Sequence, residues 1–141
     1  MANPTISTAA EAFAAVALAA VACDGELASL EARSLRQQLE FRHPYCQWSD
    51  AAMGELFDRL LQLLRSQGWQ ELVQQAAPLL EPHAAETALA VAAALTQADH
   101  VESSAEQTFL ASLSQALAVD PARATMIVEV VALLNRDSLA S

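Results

Sequence analysis

A chain of 141 residues suits one domain that buries roughly two thirds of its unfolded surface, and its 54% apolar content rests on alanine with few aromatics. That favours closely packed helices over a bulky sheet core. A net charge of −10, from seventeen acids against seven arginines with no lysine, excludes a nucleic-acid binder, which needs a basic footprint to neutralise phosphates.

In chain order, the spacing predicts a first helix from about Ser7 to Cys23, with Phe13, Val16, Ala17, Ala20 and Val21 on one face, stopping at Asp24-Gly25. The unbroken apolar run from Ala12 to Cys23 resembles a signal-peptide core. Glu11 abuts it, however, no basic residue precedes it, and it is too short to span a bilayer, so it reads as a buried helix. A second helix, about Ser29 to Arg42, turns Leu30, Leu35 and Leu39 inward and ends before Pro44.

Ser49 or Asp50 caps a third helix through about Gln67, whose Leu56, Phe57, Leu60, Leu61, Leu63 and Leu64 form the strongest apolar stripe, with Gly68 as its stop. A fourth, from Trp69 to Leu80, is strained by Pro78 and closed by Pro82. A fifth covers about His83 to Gln97 and a sixth Ser104 to Ala118; Asp120-Pro121 opens a seventh, aspartate as cap and proline at the first helical position. No alternating strand pattern occurs. The expectation is one all-α domain over the whole chain, a bundle of about seven helices.

Aligned with itself at an offset of seventy-five residues, the chain superposes Val16-Ala17 on Val91-Ala92, Asp24 on Asp99, Glu31 on Glu106 and Leu35 on Leu110. Each copy, about 9–42 and 84–119, reads as an alanine-rich helix, an aspartate at its end, a turn, a glutamate seven residues on and a leucine four further. Two copies make a pseudo-symmetric pair of hairpins, not a solenoid. Glu31 and Glu106 fall in first helical turns, where the macrodipole favours a carboxylate by about 0.3–1 kcal/mol, and Ser103 with Glu106 fits a capping box. Asp24 and Asp99 follow helix ends, where the same dipole opposes them.

Two accounts offset that cost. In one, each aspartate accepts amide hydrogen bonds from the next helix. In the other, a hard divalent cation, calcium or magnesium with zinc a poorer fit, is held by Asp24, Glu31, Asp99 and Glu106, with Glu26 and Glu102 as additional ligands.

The stretch Ala22-Cys23-Asp24-Gly25 with Glu31, and its partner Ala98-Asp99 with Glu106, Phe109-Leu110 and Leu117, resembles the signature of tellurite-resistance protein B-like (TerB-like) domains, over about Ala9 to Asp120. The resemblance implies a small all-helical, non-enzymatic module with two acidic turns, tied to tellurite resistance and stress response. It also implies a protein partner in a membrane-linked complex and metal at Asp24, Glu31, Asp99 and Glu106. The alternative function is a metal-free helical adaptor. His100 stands where the family usually has glycine, and Glu102 where it is usually apolar.

The remaining motifs are sparse. Cys23 and Cys46 form no CxxC pair and read as small core residues, in keeping with a reducing cytoplasm. His43, His83 and His100 are too scattered for a metalloprotease site, and neither GxSxG nor a glycine-rich phosphate loop is present, so no catalytic residue is assigned. Trp48 and Trp69, with Tyr45 and Leu72, line a partner groove or else anchor the core. Arg33, Arg36 and Arg42 read as a solvated helix face.

Overall fold

A computed structural model describes residues 5–23, 29–97, 104–136 and 138–139, with 29–32 described by their backbone. The described residues form six α-helices and no strand: α1 (Ala9–Ala22), α2 (Ser29–Glu40), α3 (Asp50–Ala76), α4 (Pro82–Thr96), α5 (Ser104–Ala116) and α6 (Pro121–Leu134), with short 3-10 turns at Tyr45–Gln47 and Ala77–Leu79. None is long and apolar enough to cross a membrane.

Within α3 lies the break expected between the third and fourth helices, with a helical segment on either side of it. The joint is Gly68 itself, at φ 85° and ψ 166°, a region open essentially to glycine alone. Before it, Met53, Leu56, Leu60 and Leu63 are buried; after it, Leu72, Val73 and Ala76 are. One glycine thus turns the apolar stripe so that both halves reach the core. Pro78 diverts the chain into the 3-10 turn, and Pro82 is the first residue of α4 instead of a stop.

The caps follow local chemistry. Ser49 accepts from the Ala52 amide at 3.1 Å, and Asp120 accepts from the amides of Ala122 and Arg123 at 3.1 and 3.2 Å. Thr8 caps α1 by accepting the Glu11 amide at 3.1 Å, while the Glu11 carboxylate accepts from the hydroxyls of Ser7 and Thr8 and pairs with Arg59 at 3.0 Å. Buried Glu11 therefore ties the start of α1 to α3.

The apolar run expected to form a buried helix does so. From Ala14 to Val21 every residue of α1 is buried, because α1 packs against α2, α3 and α4 together. α4 is the second inner helix, lying against α1, α5 and α6. Leu35 and Leu39 of α2 point inward as expected; Leu30 lies among the residues described by backbone alone. The buried side chains form one core.

α5 ends two residues before the expected Ala118. The Val119 amide donates to the Ser114 carbonyl at 3.1 Å and the Ala118 amide to Gln115 at 3.0 Å, a Schellman closure that puts Ala118 at φ 56°. Opposite outcomes are expected at the two positive-φ sites. Gly68→Ala should lower unfolding free energy by about 1–3 kcal/mol, since alanine must adopt a glycine-only conformation. Ala118→Gly should raise it by about 0.5–1 kcal/mol, the left-handed penalty less glycine's extra chain entropy. Urea melts of both variants measure this.

Candidate functional site

α2 and α5 begin at Ser29 and Ser104, the seventy-five-residue offset, so Glu31 and Glu106 each occupy the third position of their helix. Of the six proposed ligands, Asp24, Glu26, Asp99 and Glu102 lie outside the described residues, as do Gly25, His100 and Ser103. Glu31 is placed by its backbone. Glu106 is placed fully: it sits in the first turn of α5 and is 9% exposed.

That burial is informative. A carboxylate withdrawn from water must be met by charge or by hydrogen-bond donors. The first turn of a helix supplies donors and the positive end of a dipole. The first helices of the two hairpins, α1 and α4, pack directly on each other. Asp24 follows Cys23, the C-cap of α1, and Asp99 comes two residues after Gln97, the C-cap of α4.

Among the described residues no three His, Cys, Asp or Glu side chains converge as a metal ion requires. His43 and Cys46 are both exposed, and so is His83. The expectation that both cysteines are core residues holds only in part. Cys23 is half-buried against the core, its thiol donating to the Ala20 carbonyl at 3.3 Å, but Cys46 is exposed because Tyr45 takes the inward face of its 3-10 turn.

The aromatic residues anchor and do not share a groove. Tyr45 is buried, its hydroxyl donates to the Ala10 carbonyl, and its ring meets Trp48 edge-on at 5.3 Å. Trp69 meets Phe109 edge-on at 5.1 Å, and Leu72 is buried. Nor do the arginines of the second helix act together. Arg36 pairs with Glu40 at 3.7 Å and with Asp50 at 2.8 Å, whereas Arg42 lies over the rings of Phe41 and Phe13 at 4.7 and 5.8 Å.

Sequence reasoning missed two features. The Thr8-x-x-Glu11 spacing is a legible capping signal that was hidden beside the alanine run. The Phe13, Phe41 and Arg42 cluster gave no signal, since its members come from separate elements. No family model, curated protein or solved structure matches the chain.

Burial pushes the Tyr45 phenol well above its ordinary value of 10.0. Because the folded pKa is raised, the stability this tyrosine contributes is intact below pH 10 and falls as pH rises beyond it, where only the unfolded chain ionises. Tyr45 is the sole tyrosine, so absorbance at the phenolate band reports it alone. Alkaline titration should show no phenolate in the folded protein near pH 10, and its release together with unfolding; ionisation at pH 10 with the fold intact would contradict the burial.

Proposed function

We propose that the chain is a non-enzymatic module of the tellurite-resistance protein B type, whose two acidic turns take up a divalent cation. The ligands are Asp24, Glu31, Asp99 and Glu106, with Glu26 and Glu102 supplementing them. The observation that carries this reading is the buried Glu106 carboxylate, held at the helix position that Glu31 also occupies. An all-oxygen donor set of this kind suits calcium or magnesium better than zinc, which favours nitrogen and sulfur. The bound cation would supply positive charge that joins the turns; the chain's contribution is to hold carboxylates at helix ends.

A second reading, a metal-free adaptor acting by protein contact, is favoured by a separate observation. On α6 the side chains of Met126, Val130, Leu133 and Leu134 stand exposed with helical spacing, the last at 80%. Apolar patches of this sort mark contact surfaces. A membrane-linked complex would supply the partner in either reading.

Thermal unfolding of chelator-treated protein separates the two. A cation at about one hundred times its Kd stabilises by about 2.7 kcal/mol, which raises the Tm of a domain this size by roughly 5–15 °C. Calcium or magnesium should produce that rise in the wild type and none in Asp24→Asn. A Tm indifferent to cations and chelator rejects the metal reading. In the adaptor reading, Asp24→Asn changes stability equally with and without cation.

A further inference from the structure

A pocket of about 510 Å³ opens where the end of α2 folds back over the start of α1, with Leu80 and Ala84 completing its wall. Its size lies within the range of small-molecule sites. Phe13 and Phe41 form apolar walls, and Phe41 is left 66% exposed to do so. Tyr45 lines it too, but its hydroxyl is committed to the Ala10 carbonyl, and His43 stands exposed at the rim.

Among the described residues, the one permanent charge lining this pocket is Arg42. Its Nε donates to the Gln38 carbonyl at 2.7 Å, and its guanidinium is held over two aromatic rings. Arg36, Arg59 and Arg123 each hold a carboxylate, whereas Arg42 holds none among the described residues. Of the acids on the helices that build the pocket, Glu11 pairs with Arg59, Glu40 with Arg36 and Glu86 with Arg123, while Glu31 lies in the first turn of α2, at the end of that helix away from Arg42. Glu81, at the N-cap of α4, pairs with no arginine among the described residues. A preset guanidinium whose terminal amino groups make no protein hydrogen bond among those residues is suited to a planar carboxylate, taken in two-pronged fashion.

We propose that this pocket binds a free amphipathic monocarboxylate, a medium-chain fatty acid or an arylalkanoate of similar size, with its carboxylate on Arg42 and its apolar body between Phe13 and Phe41. A free molecule fits better than an anionic bilayer, which a chain of net charge −10 would be repelled from. The site is independent of the acidic turns.

The test titrates octanoate, 1-octanol and acetate against the full chain by isothermal calorimetry. Octanoate should bind saturably with a Kd on the order of 0.1–1 mM. Octanol and acetate should each bind at least about tenfold more weakly, Arg42→Gln should lower octanoate affinity by about tenfold, and the exposed-site variant Phe41→Ala should weaken both octanoate and octanol. Equal binding of octanoate and octanol by the wild type, or no saturable binding, overturns the proposal. Isotope-filtered NOEs on the wild type keep the test decisive even if Arg42→Gln unfolds. Octanoate methylene contacts with the rings of Phe13 and Phe41 support the site, and contacts confined to other surfaces, such as exposed Leu133 and Leu134, refute it.

Discussion

The packing of α1 on α4 is the contact around which the other helices are arranged, and its character follows from alanine. Ala12, Ala15 and Ala19 on one helix and Ala85, Ala88 and Ala92 on the other are all but inaccessible to water. A methyl group brings little apolar area, at about 0.8 kcal/mol per buried carbon, so such helices gain by approaching closely and not by bulk. The bulk comes from around them: Leu39, Leu60, Leu63, Leu72, Phe109 and Leu113 are fully buried and supply the volume the inner pair lacks. An interior of this kind has little slack, since added carbons at an alanine would force the two backbones apart.

This arrangement also dictates where chemistry can occur. α1, buried from Ala14 to Val21, displays no polar group along that length, and the two buried polar residues within α1 and α4 both lie at helix ends. Glu11 sits in the first turn and is neutralised by Arg59, while Thr96 ends α4 and donates to the Ala93 carbonyl at 2.9 Å. Functional groups are consequently displaced to helix ends, to the turns, and to the outer helices α2, α5 and α6.

What was legible in the sequence divides along the same line. Caps at Ser49 and Asp120-Pro121, the break at Gly68 and the matching starts of α2 and α5 were readable because each depends on a few neighbouring residues. The burial of α1 was readable too, from an apolar run with no polar side chain between Ala12 and Val21, although the helices that enclose it were not. Arg42 was misread as part of a solvated helix face, and the contact that anchors Tyr45 in the core was not legible, for a different reason. Their partners, the Ala10 carbonyl and the Phe13 ring, belong to another helix, and nothing in local spacing announces such a pairing. The acidic spacing around Asp24 and Asp99 was plain in the sequence, and Glu106 takes the first-turn position expected of it, whereas Asp24 and Asp99 themselves lie outside the described residues.

An acid-rich chain that keeps a cationic pocket poses an electrostatic question, and the length of α1 answers it. The pocket involves Ala9, Ala10 and Phe13 at the start of α1, and Asp24 follows its end; fourteen residues of helix measure about 21 Å. At physiological ionic strength charges are screened over about 8 Å, so a charge one such helix length from the pocket leaves the field at Arg42 little altered. Nearer the pocket, Glu11, Glu40 and Glu86 each face an arginine of their own, and Glu81 at the N-cap of α4 is left as the exposed acid beside it. The unspent guanidinium therefore stands at the start of α1, a helix that carries no charged residue from Ala12 to Ala22 and so adds no carboxylate to the field of the pocket along that length.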